Sequence, residues 1–438
     1  MKSIMSKKIL ILGNGFDLAH GLPTKYSDFL GFAEWAMKIY TYADQPGAEM
    51  EYADSLFFKW SVSNSATPAH NFLREKLTAL FKSRVVNVKP VSGNLLTNVT
   101  SFSVNDRLDL FHDYLEKNIW YEYIKALYVK EKTRGENWID FESEISYIIE
   151  ILDNIHTSLT DTLYDAQERC KSYEYKVVSS IEKTEMFFQI CTNIFNDNVS
   201  GTGFNKNLSL RSFRKKLYDD LERLILAFEI YLTDFVEDIP IKEKLSVIDD
   251  FSPDFVISFN YTKIYEKHYM RQNSNTEICH IHGVCDKNRK PEENNMVLGI
   301  DEYLAVDKRS ENVDFCIFKK FVQRIRKHND VAYAVWSNYV EKAKAGELIA
   351  VRTDGDKQIY KVDDGISDIY VYGHSLDVTD KDILKRFLIS NRTRIYICAR
   401  DKASEGELIA NLIRITDEET IIRKSTTNPP MIQFIVLS

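Results

Sequence analysis

Four short stretches of this chain hold residue types that could do chemistry: "GNGFDLAHGLP" (13–23), "FNYT" (259–262), "HIHG" (280–283) and "YGHSLDVTD" (372–380). The first follows the apolar run "KILIL" (8–12) and places Gly13, Gly15 and Gly21 close together, with Pro23 behind them. Glycine forgoes packing and costs backbone entropy, so the chain there must turn sharply or approach something closely. Such a loop before a helix start either offers backbone N–H groups to a phosphate or makes a tight turn. A G-x-G-x-x-G dinucleotide fingerprint would need glycine at 18, where the chain has Leu18. Candidate ligand-holding residues in this stretch are Gly13, Asn14, Gly15, Phe16, Asp17 and Gly21.

The second stretch interrupts an apolar strand with Asn260 and Tyr261. In the third, His280 and His282 share one strand face if the period of two holds, and Gly283 follows. The fourth offers Gly373, His374, Ser375 and Asp377. Each has a purely structural role open to it: Asn260 as a helix cap, His282 as a satisfied core histidine, Gly373 as a turn. All four fall at the C-terminal ends of predicted strands, where open α/β sheets bind ligands. Two other chemistries fit less well. "VYGHSLD" resembles a G-x-S-x-G nucleophile elbow around Ser375, but Asp377 replaces the last glycine and no histidine follows His374. Cys279, His280, His282 and Cys285 could share a metal, but no nearby carboxylate pair completes a catalytic set.

These residues need a sheet to position them. Short β-rich runs appear after residue 250, at 255–260, 277–283, 366–373, 394–399 and 431–436, with helical segments between several of them. Near-continuous apolar strands alternating with helices predict a parallel sheet covered on both faces, which residues 8–12 would join. Residues 40–245 then form a mostly helical insertion between 1–39 and 246–438. Its clearest stripe is Leu210, Phe213, Leu217, Leu221, Leu224, Phe228, Tyr231 and Phe235 on one helix face. Helices are also expected over 105–130 and after Asn137, an expected N-cap, while 43–104 is poorly patterned.

The 438 residues carry a net charge of −8, so no global basic field recruits nucleic acid, although "FKKFVQRIRKH" (318–328) could form a local basic face. No run approaches the roughly 18 apolar residues of a membrane span, and the N-terminal apolar run is too short for a signal peptide. The six scattered cysteines contain no C-x-x-C and read as reduced thiols, which points to the cytoplasm.

"GNGFDLAHGLPTKYSDF", together with "ENWIDFE", "FNYT", "IHG", "FKKFVQRI" and "GHSLD", resembles the abortive-infection AbiH family of phage-defence proteins. The four site stretches are also similar, more distantly, to the NAD-binding fold of sirtuins. Gly21-Leu22-Pro23, Asn260, His282-Gly283 and Gly373-His374-Ser375-Leu376 stand in that family's order, with 22 positions from Asn260 to His282. The sirtuin zinc module is absent, and Phe16-Asp17 departs from the usual residues. The resemblance implies a Rossmann-like α/β fold and an NAD ligand, without metal. It suits sirtuin-like defence proteins that hydrolyse NAD.

Breaking the nicotinamide–ribose bond passes through an oxocarbenium-like state, which demands orientation and electrostatics. Asn260 could hold ribose hydroxyls and a water, and His282 could take a proton at neutral pH, so these two are the expected catalytic residues. The glycine loop, Tyr261, Gly283, Gly373, His374, Ser375 and Asp377 would surround the nucleotide. A non-enzymatic nucleotide sensor would present the same parts. A phage-derived trigger and a homo-oligomer or defence partner are compatible with either role.

Overall fold

The computed structural model describes residues 5–43, 67–87, 106–133, 139–155, 162, 164–165, 167–168, 181–196, 208–271, 275–301, 314–329, 331–345, 348–354, 357–362 and 364–437. Most of 43–104, and the expected cap Asn137, lie outside them. The chain divides into two compact units: Met1–Leu22, Pro240–Val284 and His328–Ser438 form one, Pro23–Ile239 and Cys285–Lys327 the other.

The first unit is an α/β layer structure. Its strands are β1 (Lys8–Leu12), β2 (Phe255–Ser258), β3 (Glu277–His280), then the separate antiparallel pair β4 (Leu348–Asp354) and β5 (Lys357–Val362), and finally β6 (Ser367–Tyr372), β7 (Thr393–Ala399) and β8 (Ile432–Val436). Six of them form one sheet in the order β3-β2-β1-β6-β7-β8, and every pairing is parallel. Strands β1 and β2 are apolar on both faces because the middle of the sheet is covered on both sides. On one face Ile9, Ile11, Phe255, Ile257, Ile369, Val371, Ile395 and Ile397 meet Trp336 and Val340 of the Ala332–Lys342 helix. Ile383, Leu384, Phe387 and Leu388 of the Lys381–Leu388 helix join that core. Their spacing of one, three and four residues makes the apolar stripe that holds this helix to the sheet. Strand order reverses at β1, from which the chain works outward to β3 on one side and to β8 on the other. The carboxyl ends of β1, β2 and β6 therefore frame a topological switch point.

The second unit is mainly helical. Its longest helix, Leu210–Tyr231, starts at Ser209, whose hydroxyl accepts the Ser212 N–H, and runs into a π-helical turn, Leu232–Val236. Every residue of the expected stripe from Leu210 to Phe235 is buried. Phe29, Phe32, Phe111, Phe228 and Tyr231 pack there as edge-on or tilted ring pairs. Within the 318–328 stretch, Lys319 and Lys320 are buried, Lys320 pairs with Glu142 at 2.7 Å and Lys327 with Glu222 at 2.8 Å, whereas Arg326 is exposed over the Tyr218 ring. Burying a cation demands a partner, so two of the lysines are held by carboxylates inside the unit.

His20 shows what holds the glycine-loop segment in the first unit. Its Nδ1 lies 2.7 Å from the Phe16 carbonyl and its Nε2 2.7 Å from the Tyr269 hydroxyl, which also accepts the Leu245 N–H at 2.7 Å. A carbonyl can only accept, so Nδ1 carries the proton and the tyrosine donates to Nε2. Burial holds the imidazole below its ordinary 6.5. Between the lowered folded value and 6.5 the unfolded chain binds a proton that the folded chain does not. The stabilisation is therefore complete above pH 6.5 and falls as the pH drops below it. Urea midpoints at pH 7.5 and 5 should differ more for wild type than for His20→Gln; an equal pH dependence would contradict this assignment.

Candidate functional site

The glycines first answer for themselves. Gly13 and Gly15 donate their N–H groups to the Tyr372 and Gly373 carbonyls at 3.1 and 2.8 Å, and the Phe16 N–H returns to the Gly13 carbonyl at 2.9 Å. A Cβ on Gly13 would lie 2.5 Å from His374 Cα, one on Gly15 2.7 Å from Gly373 Cα, and one on Gly373 2.3 Å from the Phe16 nitrogen. The loops after β1 and β6 thus press backbone against backbone. Gly21 serves another end: at φ +80° it closes the Asn14–Ala19 helix, with its N–H on Leu18 O and the Leu22 N–H on Asp17 O. That is a Schellman cap, for which glycine is the usual residue.

From the helix after β1, the buried Asp17 carboxylate accepts Asn260 Nδ2 at 3.3 Å and the Thr262 hydroxyl at 2.7 Å. Because a carboxylate can only accept, Asp17 fixes which way the Asn260 amide faces. Asn260 Oδ1 is left buried without a hydrogen-bond partner. The Asn260 carbonyl meets His280 Nδ1 at 3.2 Å, and His280 Nε2 lies 2.6 Å from Glu266. His282 goes elsewhere: its Nε2 is 3.0 Å from Asp380 Oδ1. The two histidines diverge because β3 ends at His280 and the chain turns through Gly283, at φ +78°.

His374, from the loop after β6, directs Nε2 to the other oxygen of Asp380 at 3.5 Å, while its Nδ1 accepts the Leu376 N–H at 2.9 Å. His282, His374 and Asp380 are all buried, and the Phe259 ring sits edge-on to both imidazoles at 5.5 and 4.3 Å. Tyr261 is half-buried with its ring 6.4 Å from that of His282. Asn14, Ser375 and Asp377 are exposed. Asp377 caps the short 3-10 turn Val378–Asp380 by accepting the Thr379 N–H, and the Ser375 carbonyl accepts from Asn411.

Two groups of the expected residues therefore form at the strand ends. Asp17 and Asn260 belong to one network, His282 and His374 to the other, and Phe259, next to Asn260 in sequence, sets its ring against both imidazoles. Thr262, Glu266 and Asp380 take part although the sequence does not single them out as site residues. Asp380 ends the "YGHSLDVTD" stretch, but an Asp three residues after the capping Asp377 reads locally as turn chemistry. Cys279 is fully buried in the sheet core, and Cys285 donates to Glu237 at 3.4 Å. Among the described residues, His112, Asp113 and Glu116 are grouped closely enough to share a metal, but Asp113 and Glu116 are exposed acids on the helical unit. A surface pocket of about 240 Å³ lies in that unit too, lined by Lys117, Glu122, Ile190, Asn193 and Ile194, and shares no residue with either network.

Fold and site define an α/β protein with a parallel sheet and a buried histidine–carboxylate cluster at the sheet's carboxyl edge. The family described as "Bacteriophage abortive infection AbiH" matches residues 9–398. The chain belongs to that family, so its setting is abortive-infection defence against phage. No curated protein matches it, and no solved structure does. No helix among the described residues is long and apolar enough to cross a membrane.

Proposed function

We propose that the protein defends against phage by cleaving the nicotinamide–ribose bond of NAD or a related nucleotide, in the cytoplasm, at Asn260 and His282. One observation carries this reading: Asn260 presents a buried, unpartnered Oδ1 at the end of β2, oriented by Asp17. A buried acceptor left unmade costs about 1–3 kcal/mol, and a ligand hydroxyl would recover it. A ribose hydroxyl or the attacking water has that chemistry. His282, with Asp380 at 3.0 Å, supplies the base, and no strong nucleophile is required. The strand order 3-2-1 followed by the outward run β6-β7-β8 supports a Rossmann-like, sirtuin-like reading of the sheet.

The phosphates would not take the amides of Gly13, Gly15 and Phe16, which are already committed. They would face Asn14 and Ser375, the exposed polar residues of the two loops. Purified protein, alone and in lysate from phage-infected cells, should release nicotinamide from NAD. Loss of turnover in Ser375→Ala with retention in His282→Ala would overturn the assignment.

A second reading is a nucleotide sensor without turnover. The observation that favours it is that Asn260 Nδ2 and the Thr262 hydroxyl both turn inward to Asp17, as in a scaffold. A sensor would bind NAD and release no nicotinamide, even with infected-cell lysate.

A further inference from the structure

We propose that Asp380 is a positioning residue for His282, that His374 in turn orients Asp380, and that Nδ1 of His282 is therefore the basic nitrogen of the site. The inference rests on the proposed role of His282 and adds the atom that acts. The Leu376 backbone sits at φ +55° although the residue is not glycine and its side chain is fully buried. That left-handed turn aims its N–H at His374 Nδ1 at 2.9 Å. An N–H donor requires a lone pair on Nδ1, so the proton of the neutral His374 ring is on Nε2. That nitrogen faces Asp380 Oδ2 at 3.5 Å.

The carboxylate is thereby turned so that Oδ1 lies 3.0 Å from His282 Nε2. A carboxylate accepts, so Nε2 of His282 donates and the neutral ring keeps its lone pair on Nδ1. The 3-10 turn capped by Asp377 brings Asp380 to this point, and the Phe259 and Tyr261 rings pack against the His282 imidazole. A carboxylate that fixes the tautomer of a histidine base is a known means of keeping the basic nitrogen aimed at the substrate, and its conversion to an amide presents the wrong tautomer.

The test combines histidine-selective nitrogen-15 spectroscopy of the full chain with nicotinamide release from NAD. In wild type at neutral pH, His282 and His374 should both carry the proton on Nε2. Asp380→Asn should shift His282 toward the Nδ1–H form and lower kcat about 10²–10⁴-fold with KM little changed. A wild-type His282 protonated on Nδ1, or a tautomer unmoved by Asp380→Asn, would overturn the proposal. The wild-type spectrum decides this even if the variant fails to fold. The expected tautomers with no nicotinamide from wild type would support the positioning roles and overturn the cleavage reading instead.

Discussion

His282→Ala and Asn260→Ala should each lower nicotinamide release from NAD by about 10²–10⁴-fold, the usual loss when a positioned acid–base or orienting group is removed. Both should abolish phage protection while the protein stays folded. The structural costs differ and can be separated. Losing the Asn260 amide leaves the buried Asp17 one donor short, although Thr262 still donates at 2.7 Å, so a penalty of about 1–3 kcal/mol is expected. Truncating His282 leaves Asp380 its contact with His374. Neither should approach the unfolding that a large core deletion causes, about 2–5 kcal/mol each. Denaturant midpoints measured beside turnover distinguish the effects. If wild type binds NAD without releasing nicotinamide and the variants only bind it more weakly, the sensor reading prevails.

Gly373→Ala should be the most destabilising small substitution in the first unit, by roughly 2–6 kcal/mol from left-handed strain and overpacking together. Its φ is +68°, and the added Cβ would stand 2.3 Å from the Phe16 nitrogen and 2.5 Å from the Gly15 carbonyl carbon. Both obstacles are backbone, so no rotamer change relieves them. The loops after β1 and β6 must separate, breaking the Gly15 N–H bond to the Gly373 carbonyl. Gly406→Ala is the matched comparison: its Cβ meets nothing within 4 Å in the middle of the Lys402–Ile415 helix. That change should stabilise by about 0.5–1 kcal/mol through helix propensity. Thermal unfolding of the two variants checks the pair, and equal melting temperatures would contradict the close-packed loops.

The same glycines show how far residue types alone could be read. Three glycines after "KILIL" signalled close approach or tight turning, and both occur: Gly13 and Gly15 for approach, Gly21 for the turn. What approaches is a second loop 360 residues on, a relation no local pattern can express. The parallel sheet was readable because its middle strands β1 and β2 are apolar on both faces, as in "FVIS" of β2. The β4–β5 pair is not among the expected strands, although Gly355-Asp356 between two β-rich runs is a hairpin signal in the sequence. The shared face of His280 and His282 rested on a strand period that ends at His280. That Lys320 and Lys327 of the 318–328 stretch are paired was not legible locally, since Glu142 and Glu222 come from distant helices. Asp380 was missed as a participant because an Asp after a capping Asp reads as turn chemistry, and only the fold brings His282 to it.

The central claim is that Asn260 and His282 form a nucleotide-cleaving site used in defence. Mass-spectrometric measurement of NAD, nicotinamide and ADP-ribose in phage-infected cells, with wild type against His282→Ala, tests it most directly. The account predicts that wild-type cells lose NAD and accumulate both products as protection sets in, while His282→Ala cells keep their NAD and succumb. Protection by wild type with NAD intact and neither product formed would contradict it.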